Sequence, residues 1–211
     1  VDLPGTYSLF SHSPEEEIAR DFLCFGDVDA VIVVCDATCM ERNLNLVLQI
    51  IEFSQNVIVC VNLMDEAKRC NMVPDIDKLR ELLGVPVVAA SARNKGGIDA
   101  LVQELNILLS NKLQMGNLQM GKLQTDKLSV DKSLKTESAE LSKKQLIKYP
   151  ADIEKYAETM APYCETVYGN RLDSKWIALR LMSKNYSVID SLNSHLRYKD
   201  NQVKYSAEIL A

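Results

Sequence analysis

The stretch Val57-Ile58-Val59-Cys60-Val61-Asn62-Leu63-Met64-Asp65 (57–65) decides the fold. Its first five residues are apolar and four are β-branched, with no polar alternation, which is how a strand reads when both of its faces are covered. Two further runs have the same character, AVIVVC at 30–35 and VPVVAA at 85–90. Between the runs, Leu44, Val47, Leu48 and Ile51 recur at helical spacing, as do Ile76, Leu79, Leu82 and Leu83. Strands alternating with amphipathic helices make βαβ units, so the sequence predicts an α/β fold with a mostly parallel sheet flanked by helices.

Working outward, Ser13-Pro14-Glu15-Glu16 is a helix start: a capping hydroxyl, Pro at the first helical position and Glu three residues after the cap. A helix is expected from there to about residue 25. Asp75 and Gly97 sit near the starts of later helices, the second after the loop Arg93-Asn94-Lys95-Gly96. Residues 112–134 repeat with a period of five, marked by Leu113, Leu118, Leu123 and Leu128. Four such units would make about one coil of a β-helix, too little to bury a core, so a disordered low-complexity linker is expected over 110–144. Helical spacing returns beyond it, with Ile153, Tyr156, Ala157 and Met160 on one face, then a turn at Tyr168-Gly169-Asn170, then Trp176, Leu179, Arg180 and Met182. The expected organisation is an α/β domain over 1–109, the linker over 110–144 and a small helical domain over 145–211.

A net charge of −5 leaves no overall positive field for a phosphate backbone, which argues against nucleic acid as a partner. Six cysteines without a C-x-x-C pair read as buried thiols of a reducing compartment. No His or third Cys stands near Cys35 and Cys39 to complete a metal site, and His12 and His195 are lone residues expected at the surface or at caps. The longest apolar runs fall far short of the roughly 18 to 20 residues a membrane helix needs.

In a parallel sheet, ligands bind outside the carboxyl ends of the strands. Three polar motifs fall there: Asp2-Leu3-Pro4-Gly5, after what reads as the last residue of a strand at Val1; Asn62-Leu63-Met64-Asp65, after 57–61; and Ser91-Ala92-Arg93, after 85–90. A carboxylate at Asp2 can hold Mg2+ through a water, and Gly5, lacking a Cβ, lets a terminal phosphate approach its amide. The Asp65 carboxylate can accept from the N1 and N2 donors of guanine, a pair that adenine lacks. Asn62 can bond the base carbonyl or brace the neighbouring loop, and the Ala92 amide can donate to guanine O6 while Ser91 shapes the turn. Singly, D-x-x-G is an ordinary turn and N-x-x-D a helix cap; three motifs in this order at three strand ends indicate a guanine-nucleotide fold.

The segments VDLPGTYSL, SPEEEIARDFL, DATCMERNLNLVLQIIE, VNLMDEA and LLGVPVVAASARNKGGIDAL resemble the G domain of the bacterial ferrous iron transport protein B family over about residues 1–109. Residues 149–190 resemble, less specifically, the helical domain that follows it. The resemblance implies a P-loop-GTPase-like sheet, binding of GTP or GDP with Mg2+ at Asp2, Leu3, Pro4, Gly5, Thr6, Asn62, Leu63, Met64, Asp65, Ser91, Ala92 and Arg93, and a second switch helix over 13–22. It also implies a membrane iron-permease domain as partner and a place at the cytoplasmic face of the bacterial inner membrane. Leu63 stands where guanine-nucleotide-binding proteins usually carry Lys. Thr6 stands where fast GTPases often carry a water-orienting Gln, so slow hydrolysis is expected.

No G-x-x-x-x-G-K-[ST] occurs in these 211 residues, nor the first switch threonine. The expectation is a fragment whose upstream part is missing, one that binds GTP poorly and hydrolyses none. Two other readings stand beside the transporter module. A soluble RNA-associated GTPase would need a basic appendage that 145–211 lacks, and a non-functional truncated remnant would fit the missing front.

Overall fold

The computed structural model describes residues 1–10, 13–54, 56–121, 147–169 and 172–196. Chain contacts divide it into two units, Val28–Lys148 and Val1–Asp27 with Tyr149–Ala211. This division differs from the expected one, because the first 27 residues group with the C-terminal helices.

The first unit holds the sheet. Strands β1 (Val31–Asp36), β2 (Val57–Asn62) and β3 (Val87–Ala89) are all parallel, in the order β1-β2-β3. Val31 lies opposite Val57 and Asp36 opposite Asn62, while Val59 lies opposite Val87. Helix α2 (Met40–Phe53) makes the first crossover and turns Val47 and Ile50 inward. After β2 come the short α3 (Met64–Arg69) and α4 (Ile76–Leu83), the latter capped by Asp75 and closed by Gly84 in the left-handed region at φ 64°. Central β2 is buried from Val57 to Val61, with Val57, Ile58, Val59 and Val61 fully inaccessible, as its unbroken apolar run predicts. Coverage of both faces does not extend to β1: Val33 and Cys35 are buried, but Ile32 and Val34 are 38% and 63% exposed.

Helix α5 spans Ile98–Gly121. The stretch 110–121, expected to open a linker, therefore continues a helix. Lys112, Leu113, Gln114 and Met115 are good helix formers, while Gly116, Asn117 and Gly121 are not, and the helix continues through them. The rest of the repeat and linker, 122–144, lies outside the described residues.

The second unit is helical. Helix α1 (Pro14–Phe25) starts as expected: the Glu16 amide donates to Ser13 Oγ at 3.2 Å and the Ser13 amide to Glu16 Oε2 at 3.4 Å, a reciprocal capping box with Pro14 just inside. Helices α6 (Ala151–Tyr168) and α7 (Ser174–Met182) pack on each other around Ala157, Trp176 and Ile177. A third helix, α8 (Tyr186–Leu196), was not foreseen; it buries Val188 and Leu192 and packs on α1 and α7. His195 is exposed near the end of α8, its Nδ1 3.0 Å from Ser191 O and its ring stacked on Phe25 with centroids 4.4 Å apart; His12 lies outside the described residues. Among the described residues no helix is long and apolar enough to cross a membrane.

All six cysteines are free, Cys39 and Cys70 exposed and the other four buried. Burial pushes the Cys24 and Cys35 thiols up to about 12 and Cys164 to about 11, and raises Cys60. An alkylating reagent at mildly alkaline pH is expected to label Cys39 and Cys70 rapidly and the others only after denaturation, as mass spectrometry of the labelled peptides will read. The sign of the pH effect follows. Unfolded thiols ionise from about 9, whereas the buried native ones stay protonated to higher pH. Their contribution to stability is whole below that value and is lost as pH rises toward 12.

Candidate functional site

The carboxyl ends of β2 and β3 are cross-tied by two hydrogen bonds between segments far apart in sequence. The Ala92 amide donates to Asn62 Oδ1 at 3.0 Å, and the Asp65 amide donates to Ser91 Oγ at 3.2 Å. The Met64 amide adds a third tie, to Ala90 O at 3.2 Å. The expected motifs N-L-M-D and S-A-R thus form one corner.

The backbone explains how. Leu63 adopts the left-handed conformation at φ 62°, ψ 31°, a state that costs a side-chain-bearing residue roughly 1 kcal/mol. That turn converts the end of β2 into the start of α3, where the Leu63 carbonyl accepts from the amides of Glu66 and Ala67, each at 3.0 Å. Asp65 consequently stands in the first turn of a helix, half-buried, and its carboxylate has no hydrogen-bond partner among the described residues. Met64, by contrast, is only 8% exposed, so its side chain packs in the protein rather than facing a ligand. Leu63 is half-buried and Arg93 exposed.

The loop after β3 closes on itself. Ser91 and Gly96 exchange hydrogen bonds at 2.9 and 3.2 Å, and Ala92 opens a short 3-10 turn (Ala92–Asn94) that Lys95 ends at φ 56°. Gly97 then takes φ 80°, and a Cβ there would stand 2.1 Å from Ala89 O. Sequence reading placed Gly97 near a helix start but missed this role, which the Gly96-Gly97 pair signals as a tight backbone approach.

The structure selects between two expectations at this corner and changes a third. Asn62 braces the loop, the second of its two expected roles. The Ala92 amide, expected to be open for a purine carbonyl, is committed to Asn62 in this conformation, because the amide and the short side chain meet across neighbouring strand ends.

The Asp2-Leu3-Pro4-Gly5-Thr6 corner belongs to the other unit. Asp2, Pro4 and Gly5 are exposed, and Leu3 and Thr6 half-buried. No atom of the described chain comes within 4 Å of where a Cβ would stand at Gly5, so the fold itself does not demand glycine there. Thr6 Oγ1 lies 2.5 Å from Ser8 O and 3.2 Å from Glu16 Oε1, and accepts from the Ser8 amide at 3.2 Å. Its hydroxyl is thereby tethered to the cap of α1. Among the described residues no group of three or more His, Cys, Asp or Glu gathers to hold a metal.

Comparison with known proteins gives this geometry its context. The family model for ferrous iron transport protein B matches residues 1–105. The Fe(2+) transporter FeoB of Campylobacter jejuni is 38% identical over 112 residues, which are 53% of this chain but 18% of that protein, so the chain spans under a fifth of this relative. Among solved structures, the cytosolic domain of the T. maritima FeoB iron transporter in its GMPPNP form superposes with a TM-score of 0.66 at 27% identity, over 99% of this chain and 70% of that one. The FeoB G-domain of Methanococcus jannaschii is 44% identical over 52% of this chain and 70% of its own length, with a TM-score of 0.51. With that identity across most of a solved G-domain, and the family's model over its first 105 residues, the chain belongs to the ferrous iron transport protein B family.

Proposed function

We propose that this chain carries the base-reading corner and the phosphate-sensing corner of a GTP-binding module, whose nucleotide state serves ferrous iron uptake through a membrane permease domain at the cytoplasmic face of the bacterial inner membrane. The observation that carries the reading is the Asp65 carboxylate: half-buried, unpartnered among the described residues, and held in place by bonds from its own amide to Ser91 and from Ala92 to Asn62. A carboxylate so placed is an acceptor pair matched to the N1 and N2 donors of guanine. Leu63, half-buried beside it, offers an aliphatic face to the base plane. At the other corner, Gly5 leaves its amide open to a γ-phosphate oxygen and Asp2 would hold Mg2+ through a water. A bound Mg2+ would supply charge neutralisation on the phosphates; this chain's residues supply orientation.

Family relatives solved in GMPPNP and GDP forms support nucleotide as the ligand. Because Thr6 is tied to Ser8 and Glu16, it is not poised to orient water, and with no G-x-x-x-x-G-K-[ST] among the 211 residues to cradle the phosphates, no phosphate release is expected from this chain.

Amide chemical shifts test the base assignment, since they register even millimolar binding. Titration with GDP is expected to move the Asp65, Ser91 and Ala92 resonances, titration with ADP to leave them, and Asp65→Asn to abolish the GDP effect. Equal shifts with ADP and GDP, or GDP shifts that survive Asp65→Asn, would refute the reading.

A further inference from the structure

Where α7 gives way to α8, the helical unit holds an open cavity of about 370 Å3, lined by Phe10, Arg180, Ser183, Lys184, Asn185 and Tyr186. The sequence of the turn makes this recess. Ser183 closes α7, its hydroxyl donating to Arg180 O at 2.9 Å, and Lys184 reverses the chain in the left-handed region at φ 52°. Asn185 then opens α8: its Oδ1 accepts from the Val188 amide at 3.3 Å and its carbonyl from the Ile189 amide at 3.0 Å. Only Ser183, Lys184 and Asn185 separate the two helices, so the last turn of one and the first of the next share the recess.

The lining is one-sided in charge. Arg180 and Lys184 are cationic, and none of the six residues is acidic. Arg180 is held in place: its guanidinium carbon lies 4.4 Å from the Phe10 ring centroid and 5.6 Å from that of Trp176, and Nη2 is 3.5 Å from the Tyr149 hydroxyl. A guanidinium already fixed by rings loses little freedom when it meets an anion. The Lys184 ammonium, Asn185 Nδ2 and the Tyr186 hydroxyl have no hydrogen-bond partner among the described residues. Because the cap takes up Asn185 Oδ1, that side chain offers chiefly its N–H donors. The first turn of α8 carries no acidic residue, so its amide end adds to the positive potential. One carboxylate stands close, Glu17, but Ser187 Oγ donates to it at 2.6 Å and it lies outside the lining.

We propose that this cavity binds a small phosphate monoester, with the phosphate at Arg180, Lys184 and Asn185 and the organic part against the rings of Phe10 and Tyr186. Two cations match the nearly two negative charges that such a group carries at neutral pH, and separate donors match its three terminal oxygens, whereas a carboxylate brings one charge and two oxygens. The volume lies at the lower end of the roughly 300 to 1,000 Å3 of ligand pockets, room for about one ring beside the anion. The site uses none of the residues assigned to guanine or its phosphates and does not depend on that assignment.

Amide chemical shifts of the nucleotide-free 211-residue chain test this, with phenyl phosphate, inorganic phosphate and benzoate as probes. Phenyl phosphate is expected to move the Lys184, Asn185, Tyr186 and Ser187 resonances at millimolar concentration. It should bind at least about threefold tighter than either other probe and weaken as salt is raised. Lys184→Asn removes the charge yet leaves a residue suited to the left-handed turn, so the fold should hold while affinity for phenyl phosphate falls about fivefold; Lys184→Arg should retain it. Shifts confined to residues 2–6, equal affinity for benzoate or inorganic phosphate, or an affinity that survives Lys184→Asn would overturn the proposal.

Discussion

Replacing Gly97 by alanine is expected to cost the sheet unit about 3–5 kcal/mol of stability and to remove nucleotide-dependent shifts at Ser91 and Ala92. Two penalties combine. At φ 80° an L side chain is strained, and the new Cβ would stand 2.1 Å from Ala89 O and 2.9 Å from Ala90 Cα. Those are backbone atoms of β3 and its exit, which cannot swing aside as a flexible side chain would. Relief requires the 91–97 loop to shift, and that loop carries both braces of the site, the Ser91 hydroxyl that accepts from Asp65 and the Ala92 amide that donates to Asn62. Gly96→Ala is the control: its Cβ would meet nothing closer than 3.8 Å, so a change within about 0.5 kcal/mol is expected. Urea titration followed by circular dichroism, with exchange at Val59, Val61 and Ala90, measures both. Equal stability of the two variants would show that the loop relaxes freely.

How far residues reveal their partners depends on how far apart in sequence those partners lie. The run 57–61 announces a central strand because burial on both faces removes every reason for polar alternation, and β2 is buried as it implies. The predicted strand 85–90 is assigned only as Val87–Ala89, yet Pro86 O still accepts from Val59 and the Ala90 amide still donates to Val61 O, so the pairing extends one residue beyond each assigned end. The capping box of α1 was legible because all its atoms lie within four residues. Asn62 and Ala92 are thirty positions apart, and nothing local in either motif says that the asparagine will hold the loop rather than a ligand. Helix α8 escaped notice because its apolar positions Val188 and Leu192 are interleaved with serines, which read as a solvated face. Those serines turn out to face a buried arginine.

Arg20→Met is therefore expected to cost the helical unit about 3–5 kcal/mol, well beyond what a surface arginine on a helix contributes. Methionine fills much of the volume, so the loss is electrostatic rather than a cavity. Asp21, whose side chain is 28% exposed, loses its guanidinium partner, and the hydroxyls of Ser187 and Ser191 lose their donors. Arg20→Lys should recover only part, since an ammonium cannot reach three acceptors in the planar fork that Arg20 uses. The discriminating variant removes the partners as well: Arg20→Met combined with Asp21→Leu and Ser191→Ala leaves no stranded polar group and should regain at least half of the loss, because an unpaired buried group is costlier than an apolar replacement of the whole set. Trp176, the sole tryptophan, is buried in this unit and reports its unfolding by fluorescence in urea. A triple variant no more stable than Arg20→Met would mean that the packing of α1 on α8 needs the arginine's shape and not its charge.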